Sequence, residues 1–379
     1  MKILLAPDKF RGSLDAPQVC QAMTEGISMV SDAIEVISLP MADGGEGTLD
    51  LLLWYSKGKK ITAKVHDPLG RIIEAEFGIS ADGKTAFIEM AKASGLALLK
   101  PFERNPLITS TFGTGELIKA AINMGVENII MGIGGSATND AGTGMAHALG
   151  WTFLDDNKQE VIPAGGNLSS IKQILPSPLV ANLPKFMIAC DVTNPLFGEN
   201  GAAYIYGPQK GANTETVKVL DEGLRAFNEV AQNHKNITDS PGFGAAGGLG
   251  FGTVFFLNAS LKEGVKLLMD FCHFDQHLHN VDLIITGEGK IDYQTLQGKL
   301  IKGITTKARQ NIPPIPVMAL CGTLDVSPLE LQNIGIMYAT SILNRPQKLM
   351  EALSTSHNDV RDSTYYLVNL ICQMSTIKS

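Results

Sequence analysis

Apolar residues in this chain arrive in short runs that stop at glycine, aspartate or proline, and most runs are followed by a polar loop and then a stretch of helical period. Ile3 to Ala6 reads as a strand. The loop after it, DKFRGSLDAPQ, leads into a helix starting near Asp15 and Pro17, with Val19, Met23 and Ile27 at helical spacing for one buried stripe. Ala33 to Leu39 predicts a second strand, and MADGGEGTLDLLL repeats the passage from an acidic glycine loop into a helix. From about Lys60 the rhythm changes to alternation of apolar and polar residues around Asp67-Pro68-Leu69-Gly70 and Asp82-Gly83, the pattern of antiparallel hairpins. Further on, Ile129 to Met131, Trp151 to Leu154, Lys185 to Ala189, Asp282 to Thr286, Pro316 to Leu320 and Ile336 to Ala339 predict strands. Gly115 to Met124, Glu215 to Ala231 and Lys348 to Met374 predict helices.

Strand and helix alternate at both ends of the chain, and a meander interrupts them. This order predicts an α/β protein: a Rossmann-like parallel-sheet domain from residues 1–60 and 280–379, with a second α/β domain, residues 61–279, inserted in it and carrying the hairpins. With 379 residues the chain is long enough for two cores, and 44% hydrophobic residues with 18% charged ones suit globular domains rather than disorder. A net charge of -7 argues against nucleic acid as a partner. The five cysteines are scattered without C-x-x-C spacing, which points to reduced thiols and a cytoplasmic protein. The apolar start is cut short by Pro7 and Asp8, so it reads as a first strand and not as a signal peptide, and no apolar run is long enough to cross a membrane.

Chemistry concentrates where strands end. NIIMGIGGSATNDAGTG, Asn128 to Gly144, is a buried strand that empties into Gly134, Gly135, Ser136, Thr138 and Asn139 and then into a helical pattern, so its loop and the helix N-terminus are expected to bind a compact anion. Gly132, Gly134 and Ala137 also fit the G-x-G-x-x-G/A fingerprint, with Asp155 or Asp156 roughly ~20 residues on, which raises a nicotinamide-dependent dehydrogenase as a competing reading. Gly287 and Gly289 form a second anion candidate far away in the chain, and Gly242 to Gly252 is a third glycine tract for which close packing and ligand contact are equally open. Strand-end carboxylates (Asp8, Asp43, Glu46, Asp140, Asp191, Glu288, Asp292) stand with cations (Lys9, Arg11, Lys210, Lys290, Lys299), the mixture phosphoryl transfer needs to hold Mg²⁺, accept a proton and neutralise phosphate charge. There is no Walker A sequence, since Gly298-Lys299 is followed by Leu300. Cys272, His273, His277 and His279 lack an acidic ligand pattern for a metal, and Ser136 lacks the G-x-S-x-G elbow of a hydrolase.

The motifs APDKFRGSL, PMADGGEGT, GIGGSATNDAGTGMAHALG, CDVTNPLFGENGAA, GPQKGA, GAAGGLGFG and TGEGKIDYQTLQGK, in this order from end to end, resemble the bacterial glycerate kinases of the first type. The resemblance implies ATP- and Mg²⁺-dependent phosphorylation of D-glycerate, most often at the 2-hydroxyl, with the 3-hydroxyl as the alternative and assembly into homo-oligomers left open. It implies Asp191, Asp292, Lys9 and Arg11 at the reacting centre and Asp191 and Glu288 as metal ligands. Substrate or phosphate contacts are expected from Asp8, Asp43, Glu46, Gly134, Gly135, Ser136, Thr138, Asn139, Asn194, Lys210, Gly287, Glu288, Gly289 and Lys290. The first loop departs from the family's usual DSFKGS at Lys9 and Arg11, and Thr193 stands where an acidic residue or asparagine is common.

Overall fold

The computed structural model describes residues 1–44, 47–297 and 299–377. It divides into two units, Met1–Leu51 with Gly264–Ser379, and Leu52–Glu263. Against the expected division near 60 and 280, the helix Gly264–Phe271 belongs with the C-terminal segment because its Val265 and Met269 pack on Gly303 of the helix Lys299–Arg309. Leu53 likewise packs on Gly58 and Gly78, within the middle unit.

The first unit opens with β1 (Lys2–Leu5), whose Ile3, Leu4 and Leu5 are fully buried. The helix Ala16–Ser28 follows, its start fixed by Asp15, which accepts from Gln18 N at 2.8 Å while the Gln18 side chain accepts from Asp15 N at 2.9 Å. The parallel strand β2 (Glu35–Ser38) completes the opening segment.

In the second unit, β3 (Lys59–His66), β4 (Ile72–Ile79) and β5 (Thr85–Glu89) form the expected meander. It is not a separate antiparallel layer. The free edge of β5 pairs in parallel with β6 (Asn128–Gly132), so that hairpins and parallel strands share one mixed sheet. A short ribbon of β7 (Thr152–Leu154) and β8 (Gln173–Leu175) stands apart, and β9 (Lys185–Ala189) and β10 (Ser260–Lys262) finish the sheet in the order β10-β9-β6-β5-β4-β3. Its core joins Phe87's neighbours Ala86 and Ile88 to Ile129, Met131, Ile188, Phe227 and Phe256.

Back in the first unit, β11 (Leu283–Ile291), β12 (Val317–Leu324) and β13 (Tyr338–Ser341) add to the parallel sheet, giving the order β13-β12-β11-β1-β2. Counted within the unit this is 2-1-3-4-5, one of the doubly wound orders, and its direction reverses between β1 and β11. The expected strand at Asp282 to Thr286 is thus longer than its apolar run. Gly287 and Gly289 are not in a glycine loop but within β11, where a side chain at Gly287 would come within 2.4 Å of the Leu320 carbonyl oxygen. The last helix, Leu349–Ile377, packs on Ala16–Ser28 so tightly that a Cβ at Gly26 would lie 2.3 Å from the Arg361 carbonyl oxygen.

The candidate active site

Ligands of doubly wound sheets sit outside the carboxyl ends of the strands where the order reverses. At that place in the first unit, the backbone of Asp8 donates to Gly287 O at 2.8 Å and the Thr286 hydroxyl donates to Ala6 O at 2.8 Å, so the segment after β1 is stitched to β11. Met41 N donates to Pro7 O at 2.8 Å, which brings the loop holding Asp43 alongside. Four carboxylates then interact. Burial pushes the Asp8 carboxyl up to about 6, against a hydrogen bond from Lys9 N at 2.6 Å, and Asp43 pushes it the same way. Burial pushes Glu288 up to about 7, with Asp8, Asp43 and Asp292 adding to the effect. One Glu288 oxygen, Oε1, is buried and has no hydrogen-bond partner among the described residues. An orphan of this kind costs on the order of 1–3 kcal/mol.

Cations stand around this group. Lys290 Nζ lies 3.0 Å from Asp292 and 3.6 Å from Asp325, and Arg11 lies 3.8 Å from Asp43, with the Lys290 and Arg11 side chains largely exposed. Asp292 is therefore ion-paired and also accepts from Thr295 N at 3.4 Å at the start of the helix Tyr293–Gln297. Glu46 and the side chain of Lys299 lie outside the described residues. Among the described residues no group of three or more His, Cys, Asp or Glu side chains is placed to hold a metal ion.

The second unit gathers the other expected residues at the carboxyl ends of β6 and β9, adjacent strands in register at Gly132 and Ala189. Asp191, half-buried, follows β9. Asn194 is engaged by its own loop: Tyr206 Oη donates to its Oδ1 at 2.6 Å and its Nδ2 donates to Asn200 O at 2.9 Å. Lys210 is not a surface cation. Its ammonium is buried and donates to the Ser136 hydroxyl at 2.7 Å and the Thr138 carbonyl at 2.6 Å, beneath the loop after β6. Gly134 and Gly135 are exposed, whereas Thr138 and Asn139 are fully buried, and Thr138 Oγ1 and both polar atoms of the Asn139 amide have no partner.

The helix after this loop does not serve as an anion site. It begins only at Thr143 and ends at Ala148, and the Asp140 carboxylate takes Thr111 N at 2.7 Å, Thr111 Oγ1 at 2.8 Å, Gly142 N at 3.2 Å and Gly144 N at 3.3 Å. The donors expected to face a ligand are satisfied by the protein's own carboxylate. This also removes the physical basis of the dinucleotide fingerprint, which places a pyrophosphate on a helix N-terminus.

The tract Gly242 to Gly252 resolves as packing. Gly247 has a left-handed backbone, and a Cβ there would sit 2.0 Å from the Thr138 carbonyl oxygen and 2.7 Å from Asn139 Cα. At Gly244 a Cβ would meet Pro195 O at 2.1 Å, so the tract wedges beneath the loops after β6 and β9 together. Sequence reading missed Thr111, which orients Asp140. Its signal lay in the run TSTFGT, whose Thr109, Thr111 and Thr114 are all fully buried.

Residues 3–372 match the Glycerate kinase family. The chain belongs to the glycerate kinase family. It is 42% identical over 364 residues to a glycerate 2-kinase of Escherichia coli (strain K12), covering 95% of each chain. It is 46% identical over 325 residues to a glycerate kinase of Haemophilus influenzae, covering 85% of this chain and 86% of that one. A solved structure from Salmonella typhimurium LT2, assigned as glycerate kinase 2, superimposes with a TM-score of 0.88 at 38% identity and covers 99% of both chains. Membership makes the protein an ATP-dependent kinase, and no helix among the described residues is long and apolar enough to cross a membrane.

Proposed function

We propose that the protein transfers the γ-phosphoryl group of ATP to the 2-hydroxyl of D-glycerate. Support for the acceptor comes from the names of its relatives, one of them a glycerate 2-kinase, and support for the chemistry from the carboxylates between β1 and β11. The observation that carries the reading is the buried, unpartnered Oε1 of Glu288 beside Asp8 and Asp43. Carboxylates whose protons are held up chiefly by burial, with repulsion between them adding to it, suit a divalent cation, and Mg²⁺ commonly takes one or two carboxylates and completes its shell with water and phosphate oxygens. We assign Glu288, with Asp8 beside it, to hold Mg²⁺, which when bound would neutralise phosphate charge. Lys9, Arg11 and Lys290 supply further positive charge for the moving phosphoryl group. Asp191, half-buried after β9, is the carboxylate we assign to accept the hydroxyl proton.

The exposed glycines Gly134 and Gly135 let an anionic group approach the backbone of the second unit. Incubation of the pure protein with D-glycerate, ATP and Mg²⁺, followed by ADP release and phosphorus NMR of the product, tests the proposal. A 2-phosphoglycerate signal is expected. A 3-phosphoglycerate signal overturns the regiochemistry, and no ADP release overturns the acceptor.

A further inference from the structure

The loop from Gly134 to Asn139 carries more hydrogen-bond donors than the protein uses. Among the described residues no acceptor takes the backbone N–H groups of Gly134, Gly135 or Ser136. Gly135 has φ 74°, a left-handed turn of the kind that aims successive N–H groups to one side. The loop is held in place from both flanks: Leu96 N donates to Gly135 O at 2.8 Å and Ala137 N donates to Ser94 O at 2.9 Å. From beneath, the Lys210 ammonium gives two of its three donors to Ser136 Oγ and Thr138 O. The sealed Thr138 hydroxyl and Asn139 amide have no partners among the described residues and mark a polar interior beneath the loop.

We infer that Lys210 is a positioning residue that never touches substrate, but braces this loop from below and lends it the charge with which the loop takes the carboxylate of the acceptor hydroxy acid. The inference rests on the proposed phosphorylation of D-glycerate. Two features favour a carboxylate over the nucleotide's phosphates. The loop has one cation beneath it and otherwise neutral donors, which matches a single negative charge, whereas a nucleotide carries several. The first unit has the exposed Lys290 and Arg11 and the carboxylates suited to a metal, the equipment that phosphates require.

A purely mechanical brace would need only hydrogen bonds, and an amide could make them. Burial pushes the Lys210 ammonium down to about 7, while the Asp140 carboxylate, itself pushed up by burial, pulls the other way. Arg104 packs its main chain on Gly211, next to Lys210. The lysine charge is thus poised, and a bound anion above it favours the protonated form.

Titration calorimetry of D-glycerate and, separately, of ADP tests this with the wild type, Lys210→Met and Ser136→Ala. Lys210→Met should weaken D-glycerate binding roughly tenfold or more and leave ADP within roughly twofold, and the KM for D-glycerate should rise by more than kcat falls. Wild-type affinity for D-glycerate should decline from about pH 6 to about pH 8.5, and the decline should vanish in Lys210→Met. A natively folded Lys210→Met that binds D-glycerate as the wild type does overturns the inference. A loss that falls on ADP instead overturns the carboxylate assignment. Should Lys210→Met fail to fold, Ser136→Ala decides: it removes the hydroxyl that Lys210 grips and should weaken D-glycerate binding while leaving ADP within roughly twofold, and unchanged D-glycerate binding overturns the inference. A wild type that binds no D-glycerate at all defeats the proposed acceptor, a different failure from these.

Discussion

Glu288→Gln removes the charge at the carboxylate of the first unit that burial and its neighbours disfavour most, while keeping its shape. Glu288 titrates at about 7 in place of the ordinary 4.5. Each tenfold change in an ionisation equilibrium is worth about 1.4 kcal/mol, so the ionised form costs the free protein up to about 3 kcal/mol. Because the folded value is raised, the stabilising effect is complete below about 4.5 and is lost as pH rises through about 7. Above that pH the glutamine variant should therefore be more stable than the wild type. Part of the gain is returned, since the glutamine amide inherits the orphaned position of Oε1. A net gain of about 2 kcal/mol corresponds to a rise in Tm of roughly 4–8 °C. Thermal unfolding of both proteins without metal, from about pH 5 to about pH 8.5, is the assay, with the difference expected to grow with pH. Added Mg²⁺ should stabilise the wild type more than the variant. A Tm difference independent of pH, or a variant less stable at high pH, refutes the assignment of Glu288 as a carboxylate held charged at a cost.

Three further outcomes follow from the second unit. Gly134→Ala, where an added Cβ has open space, should leave stability within about 0.5 kcal/mol and raise a substrate KM, whereas Gly247→Ala, with the Thr138 oxygen in the way and a left-handed backbone, should cost roughly 2–4 kcal/mol in urea unfolding. Asp140→Ala strands the N–H groups of Thr111, Gly142 and Gly144 and should cost about 3–5 kcal/mol by the same assay. Asp191→Asn should lower kcat roughly 100-fold with the circular dichroism spectrum unchanged, and near-normal turnover would remove Asp191 as the proton acceptor.

How far the sequence discloses these features depends on whether their cause is local. The strands β1, β6, β9 and β12 are legible because each is a run of apolar residues that a sheet must bury, and the meander is legible because alternation and turn residues are written into adjacent positions. The C-terminal half of β11 is not, since Gly287 and Gly289 have loop composition and become strand only through pairing with β12, whose Gly322 would itself place a Cβ 2.6 Å from Gly289 O. The same limit explains the loop after β6. Glycines, hydroxyls and an aspartate before a helical pattern have the composition of an anion site, but composition does not say which acceptor reaches the helix first. Asp140 does, because Thr111 from a distant segment orients it. Lys210 likewise reads only as a cation in the glycine-flanked loop GPQKGA, and the turn from Gly207 to Gly211, where a Cβ at Gly211 would lie 2.2 Å from the Arg104 carbonyl oxygen, directs it inward. Residues whose roles come from tertiary contact are thus those that sequence pattern alone misplaces. They are also the ones that hold the loop after β6 in a shape its own composition does not specify.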